Sequence, residues 1–365
     1  MSRPAAKDTI VLRCFPLVLR SDHAASSSSQ VPKRYHSLLA SQELNKTRLL
    51  LGRTKEKERL YVCLSTTPKS TPSWFLLRPE TTGKKTLIPV PSLPSQPQTF
   101  SSYVPLDWGI YVIGGFKDGD VRSSDVSLLD CRTNTWREVP SMSVGRAAAA
   151  AGAVDGKIYV FGGCEEVKES NWAEVYDPKT ETWEAFAPLP DCSEGDNVVR
   201  ETLVMDEKVY GVDFWSGNFL SYSPCEGKWG RKKTEEVKSY YCVVEKVLYG
   251  CDEVGNVFWR ESEEVVWKEV KGLEALQEVF SGSNSVRSSA FRERVRKLSS
   301  FGLNIVVFWV GHKGDVWCAE ISLERREEEE GEIWGRIQWS EDLAAFRNTF
   351  RRPTVEVLYA AAVNV

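Results

Sequence analysis

The chain is poor in the residues that carry most cofactor and acid–base chemistry. Only three histidines, His23, His36 and His312, occur in 365 residues, and two fall in the first 57. A copper-radical oxidase on an all-β ring would need paired histidines with tyrosines, so so few histidines argue against one. The nine cysteines, Cys14, Cys63, Cys131, Cys164, Cys192, Cys225, Cys242, Cys251 and Cys318, contain no C-x-x-C pair and no regular spacing. Neither a zinc site nor a disulfide framework is expected. No apolar run reaches the roughly 18 to 20 residues of a membrane span. "IVLRCFPLVL" at 10–19 is split by Arg13 and Pro16 and precedes no small-residue cleavage site, so it does not read as a signal peptide. These absences place the chain in a reducing compartment, cytoplasmic or nuclear, with its cysteines buried as small hydrophobes.

Catalytic strings are missing as well. There is no GxxxxGK[ST] or GxSxG, and Gly114-Gly115 is followed by "FKDGDVRSSDV", without the third glycine of a dinucleotide fingerprint. His312 in "VGHKGD" reads as a solvated turn residue, and "ERREEEEGE" at 324–332 as a charged hairpin loop. No active site, cofactor or metal is expected.

What is present is ordinary globular material, 42% hydrophobic and 27% charged, enough to bury a core. Charge is unevenly placed. Residues 1–57 hold 11 Lys+Arg against 4 Asp+Glu, and the remainder 36 against 47. A step of this kind marks two regions, 1–57 and 58–365. The basic part lacks aromatic interleaving, so nucleic acid is not an expected partner.

Thirteen tryptophans are explained by an internal repeat. "DWGIYVIGG", ending at Gly114-Gly115, leads to "DVSLLDCRTNTWREVPSM"; "DGKIYVFGG", ending at Gly162-Gly163, leads to "AEVYDPKTETWEAFAPLP". Trp136 and Trp183 close these units, and weaker copies close at Trp229, Trp267 and Trp339, the last after an insertion around 272–300. Each unit is a set of short strands rich in Val, Ile, Tyr, Phe and Trp between Gly, Asp and Asn turns. Units of roughly 40 to 50 residues match one four-stranded propeller blade. The paired glycines, the later Tyr or Leu with Asp, and the closing Trp resemble the kelch motif.

A further blade is found by alignment. "LYVCLSTTPKSTPSW" sets Tyr61 under Tyr159 and Trp74 under Trp172, with Lys85 where Trp183 would stand. Its missing strand is supplied by "VEVLYAAAVNV" at 355–365, which resembles "GRAAAAAGAV" at 145–154. The expected fold is mostly β, a six-bladed kelch-type propeller over 58–365 closed by the C-terminal strand. Gly114, Gly115, Gly162 and Gly163 permit close backbone approach beside the central channel, and Trp136, Trp183, Trp229 and Trp267 fill space between sheets.

The first 57 residues form a small helical region. Tyr35, Leu38 and Leu39 lie at helical spacing, with Pro32 suited to a first turn and Gly52 to a stop. "VPKRYHSLLASQELNKTRLLLGR" resembles the F-box of the plant F-box/kelch-repeat family, which shows a lysine, an aromatic, "SLLASPEL" and "KTRSLLG" in that order. The family's opening "LPDDL" is replaced here by "AAKDTIVL", and its "LSLVSK" by "SSSSQVPK". The resemblance implies a substrate-recognition subunit of a cullin-type ubiquitin ligase, not an enzyme. Leu12, Phe15, Leu19, Tyr35, Leu38 and Leu39 would grip a Skp-type adaptor, and the propeller loops would hold an unknown protein substrate. The alternative is a kelch scaffold whose F-box has decayed.

Arginines and aromatics are frequent interface anchors, which nominates Arg122, Arg146, Trp172, Arg200 and Trp215 for substrate contact. Plant kelch proteins that steer glucosinolate breakdown use iron and carboxylates. Asp118, Asp120, Glu165 and Glu166 are available here, but turns are rich in such residues anyway.

Overall fold

The computed structural model describes residues 58–66, 71–79, 83–93, 99–117, 119–165, 172–186, 199, 201–213, 218–233, 236–262, 264, 266–281, 294–311, 315–326, 331–343 and 355–365. The chain divides into two units, Met1–Lys57 with Asn364–Val365, and Glu58–Val363. The second carries the sheets.

It is a propeller of six four-stranded antiparallel sheets. Blade 1 contains β1 (Glu58–Thr66), β2 (Ser73–Pro79) and β3 (Lys85–Val90), and blade 2 contains β4 (Ser102–Leu106), β5 (Gly109–Ile113), β8 (Val126–Asp130) and β9 (Thr135–Val139). A small hairpin, β6 (Phe116–Lys117) and β7 (Val121–Arg122), is inserted in blade 2. Blade 3 is β10 (Ala150–Val154), β11 (Lys157–Phe161), β12 (Ala173–Asp177) and β13 (Thr182–Ala185); blade 4 is β14 (Glu201–Met205), β15 (Lys208–Val212), β16 (Asn218–Ser223) and β17 (Lys228–Lys233). Blade 5 is β18 (Tyr240–Val244), β19 (Val247–Cys251), β20 (Val257–Glu261) and β21 (Lys268–Glu269). Helix α1 (Glu274–Ser281) leads to blade 6, which is β22 (Arg294–Phe301), β23 (Asn304–Val310), β24 (Val316–Arg326) and β25 (Glu332–Asp342). The last strand, β26 (Val355–Asn364), returns to blade 1 and pairs on the axial side of β1 in the order β26-β1-β2-β3. This closure by the C-terminal strand is the one expected from the sequence.

Strands β26, β4, β10, β14, β18 and β22 open their blades, and consecutive members of this set from β4 to β22 pack on one another around the axis. Because strands within a blade alternate in direction, the links between blades share one face with the connections between second and third strands. We call this the upper face.

Apolar clusters fill the blade junctions. One joins Val104, Leu128 and Tyr111 of blade 2 to Ile158, Val160 and Tyr176 of blade 3; another joins Tyr249, Trp259 and Val257 of blade 5 to Ile305, Val307 and Trp309 of blade 6. Blade 6 meets blade 1 through Phe308, Cys318, Val62 and Phe75. Between blades 1 and 2 the joint is aromatic, with Trp74 edge-on to Tyr103 at 5.8 Å and to Trp136 at 5.6 Å.

The repeated tryptophans have a second task. Trp136 Nε1 donates to Pro91 O at 2.6 Å, Trp183 Nε1 to Pro140 O at 2.7 Å, and Trp267 Nε1 to Glu236 O at 3.3 Å. In each case the acceptor lies on the link from the preceding blade, so a partly or fully buried indole both covers the sheet and fastens its neighbour. The glycines have a different reason from the one expected. A Cβ on Gly114, at φ +57°, would stand 2.3 Å from Arg146 O, and one on Gly163, at φ +70°, 2.6 Å from Ala147 O. What excludes a side chain is the backbone of the link into blade 3, not the central channel.

Three readings of the sequence need correction. Tyr61 faces Leu76 as Tyr159 faces Val175, but Trp74 faces Cys63 where Ala173 faces Phe161, so Trp74 occupies the place of Ala173 rather than Trp172. Leu87, opposite Leu77, holds the place of Trp183 opposite Tyr176, and Lys85 lies over the Trp339 ring instead. Connections of different length in the two blades displace the alignment. Finally, the stretch at 272–300 is not all insertion: it holds α1 and most of β22, the innermost strand of blade 6.

Blade 5 carries a cation where two other blades carry a tyrosine. Tyr176 and Tyr222 pack on Trp183 and Trp229, with ring centroids 5.0 and 4.7 Å apart. The register of blade 5 sets Arg260 at the equivalent site, its guanidinium 4.7 Å from the Trp267 ring and 5.4 Å from Phe219. Arg260 is buried, and its Nε and Nη1 have no hydrogen-bond partner. The stacked guanidinium keeps the packing at the expense of desolvated donors. Arg260→Tyr should therefore raise stability by about 1–2 kcal/mol in urea unfolding; a loss of stability would show that the cation is needed there.

Candidate functional site

The starts of the axial strands build a funnel at the centre of the upper face. Its cavity is about 370 Å³, a size that suits a small ligand or a few inserted side chains. Phe100, Tyr103, Val199, Tyr240, Leu358 and Tyr359 supply its apolar and aromatic wall, and Glu201, Glu253 and Lys297 its charges. Tyr103 and Tyr359 stack at 4.8 Å across the joint of blades 2 and 1. Lys297 Nζ donates to both oxygens of Glu201 at 2.9 Å, linking blades 6 and 4 past the intervening blade. At the rim Arg294 Nη1 meets Glu253 at 2.6 Å.

Consecutive links hold this rim through backbone hydrogen bonds. Ala148 N donates to Phe100 O and Val199 N to Ala148 O, both at 2.9 Å, and Val295 N donates to Glu253 O at 3.0 Å. Phe100 and Ala148 are fixed there at φ +58° and +54°, a costly backbone for side-chain-bearing residues that rigid surroundings must maintain. Phe100 is thereby presented outward, 52% exposed, edge-on to Phe116 of the β6–β7 hairpin at 5.8 Å. Burial pushes the Tyr240 phenol up to about 12, with the nearby charge of Arg296 opposing it, and burial likewise raises Tyr359.

Beside the funnel, an open groove of about 450 Å³ runs past Asp120, Val121, Arg122, Val144, Gly145, Cys164 and Glu165. Arg122 is half-buried on the upper face, its Nε donating to Gly163 O at 3.1 Å and its guanidinium 5.5 Å from the Phe116 ring. Val121 next to it is exposed.

Two expected anchors belong to the interior. Arg146 is 1% exposed: its Nη2 meets Glu174 Oε2 at 2.7 Å, its Nε the same oxygen at 3.2 Å, and its Nη1 donates to Gly162 O and Trp172 O at 2.8 and 2.9 Å. The other oxygen of Glu174 accepts from Ser143 N at 2.8 Å. This pair fastens the link between blades 2 and 3. Trp172 is fully buried and packs on Phe161 and Trp229 at 5.7 and 5.1 Å. Both expectations are corrected to structural roles, because charge pairing and an aromatic pocket draw these side chains inward. Arg200, Trp215, His312, Asp118 and Glu166 lie outside the described residues, as do Leu12, Phe15, Leu19, Tyr35, Leu38 and Leu39.

The funnel residues Phe100, Tyr103, Glu201, Tyr240, Lys297 and Tyr359 were not singled out from sequence. They come from six separate strands or links, and no local pattern unites them. Among the described residues, no group of three or more His, Cys, Asp or Glu is placed to hold a metal, and no helix is long and apolar enough to cross a membrane. The site as built offers shape, aromatic surface and paired charges.

Comparison with known proteins shows the same domain. The family model described as FKB95, Kelch-repeats domain, matches residues 63–344. The F-box/kelch-repeat protein At4g39550 of Arabidopsis thaliana is 34% identical over 401 residues, covering 99% of this chain and 94% of its own. The F-box/kelch-repeat protein At4g39590 of the same plant is 35% identical over 353 residues, covering 90% of this chain and 83% of its own. The solved structure of YjhT aligns with a TM-score of 0.46 at 12% identity, over 72% of this chain and 91% of that one. With six kelch blades closed by their C-terminal strand and identity that runs almost end to end, the chain belongs to the F-box/kelch-repeat family.

Proposed function

We propose that this protein is the substrate-recognition subunit of a cullin-type ubiquitin ligase. Residues 1–57 bind a Skp-type adaptor through Leu12, Phe15, Leu19, Tyr35, Leu38 and Leu39, and the upper face of the propeller binds the target protein, with Arg122 at its edge. The observation that carries the reading is the likeness to a protein named F-box/kelch-repeat over 99% of this chain. An alignment of that extent takes in both the basic N-terminal region and the ring.

The mechanism is proximity. Holding a target beside the ligase core raises the effective concentration of its lysines at the charged ubiquitin carrier, and this requires no reactive group on the propeller. The reading is tested by a pull-down of a plant Skp-type adaptor with the full chain, with Leu38→Asp and with Leu39→Asp. Capture by the native chain with at least tenfold loss in both variants is the expected outcome, since a buried unpaired carboxylate is costly at an apolar contact. No capture by the native chain would leave a kelch scaffold without a ligase role.

A further inference from the structure

The outer strand of blade 4 runs against the charge of the ring. Residues 58–365 hold 36 Lys+Arg against 47 Asp+Glu, yet β17 reads Lys228, Trp229, Gly230, Arg231, Lys232, Lys233, four cations in six residues and no carboxylate. The outer strands β9, β13, β21 and β25 each carry at least one carboxylate, and β3 carries a single lysine. All four cations of β17 are exposed. Lys228 Nζ reaches Glu226 at 4.0 Å, and neither Lys232 nor Lys233 forms an ion pair among the described residues.

The strand also ends its sheet. One edge of β17 pairs with β16, from Asn218 opposite Lys233 to Ser223 opposite Lys228, and no described strand lies along the other. Alternate backbone N–H and C=O groups on that edge are open to a further strand. The register divides the cations between the two faces of the blade. Lys232 stands opposite Phe219, which belongs to the apolar cluster shared with blade 5, so Lys232 and Lys228 lie on that side. Trp229 stands opposite Tyr222, in the cluster shared with blade 3, so Arg231 and Lys233 lie on the other. The joint with blade 5 adds positive charge of its own. Arg260 is buried 5.4 Å from the Phe219 ring with two nitrogens unpartnered, and Lys238, over Phe258 at 3.5 Å, meets the exposed Glu236 at 3.4 Å. Like charge along an edge keeps a second copy of the same strand away. The same charge favours a strand of opposite sign.

We propose that β17 is a docking edge, at which an acidic extended segment of another protein adds as a fifth strand of blade 4. Backbone hydrogen bonds to the open edge hold the segment, and cross-strand pairs with Lys228, Arg231, Lys232 and Lys233 select it. The order of residues in β17 specifies its sequence: carboxylates opposite Lys228 and opposite the run Arg231 to Lys233, and uncharged residues opposite Trp229 and Gly230. This edge is on the outside of the ring, apart from the upper face, and the inference goes beyond the ligase reading without resting on it.

The test uses the full chain and a fluorescein-labelled peptide of one glutamate, two valines and three glutamates, made in both chain directions and followed by fluorescence anisotropy. Three further probes are the same peptide with lysine for glutamate, the same peptide with proline for valine, and a single-stranded oligothymidylate. Proline keeps the charge but cannot donate to a ladder. Saturable binding of a glutamate–valine peptide is the expected result, with the lysine and proline peptides and the oligonucleotide at least tenfold weaker. Added salt should weaken it, and Lys232→Glu combined with Lys233→Glu should weaken it about tenfold, since like charges then face one another across the strands. No binding of either acidic peptide, or an unchanged affinity in the double variant, overturns the proposal. So does equal binding of the proline peptide, which would leave charge without strand pairing, or equal binding of the oligonucleotide, which would mark a surface for phosphate backbones. The probe comparisons are made on the native chain, so they stand even if the variant misfolds. Adaptor capture is a separate measurement, and its failure alone would remove the ligase role without touching the peptide result.

Discussion

Deleting Val355–Val365 should leave no soluble, cooperatively folded monomer. Strand β26 buries Val355, Val357, Ala360, Ala361 and Val363, and it carries Tyr359, which stacks on Tyr103. Ser299 Oγ of blade 6 also donates to Ala360 O at 2.8 Å. The burial lost is on the order of 5–10 kcal/mol, comparable with the whole stability of a folded domain. The deletion also uncovers the edge of β1, whose sequence "ERLYVCLST" is apolar enough to template association. Aggregated or protease-sensitive material, with a soluble fold recovered when a separate 355–365 peptide is supplied, is the expected result. A monomer melting like the intact chain would show that the ring does not depend on this closure.

The second large effect concerns Arg146 and Glu174. Both are essentially dry, at 0% and 2% side-chain exposure, and every link in the cluster is made by a charged group. Glu174→Ala strands the guanidinium in the interior and frees Ser143 N, and a broken buried pair costs about 3–5 kcal/mol. Changing both residues to methionine removes the stranded charge, so the double variant should be more stable than Glu174→Ala alone. Urea unfolding of the two variants measures the difference. A cost under about 1 kcal/mol for Glu174→Ala would mean that water reaches the pair.

The same pair shows where reading the chain succeeded and where it did not. Blades 2 and 3 were visible because geometry there demands paired glycines and a closing tryptophan, and the other blades followed from their weaker copies. Gly114 must admit the Arg146 carbonyl, and Trp136 must reach Pro91. An arginine in a loop, by contrast, is usually a surface residue, and nothing near Arg146 in the chain announces that Glu174, 28 positions on, will neutralise it. Blade 6 was obscured for an electrostatic reason. Arg294, Arg296 and Lys297 hide the apolar alternation of Val295 and Leu298, so β22 looked like part of an insertion. Arg260 likewise masked a kelch tyrosine position that only the pairing with Trp267 discloses. The funnel was the least accessible feature, since it is assembled where the starts of separate strands converge and depends on strained backbone at Phe100 and Ala148 that residue type does not announce.

The reading of the whole chain makes it a bridge between ligase and target, and stoichiometry tests that most directly. The full chain, a plant Skp-type adaptor and a cullin are mixed and weighed by native mass spectrometry. A single assembly with one copy of each, lost on Leu38→Asp and retained on Arg122→Ala, is the predicted result. An adaptor–cullin assembly that never takes up this chain would contradict it.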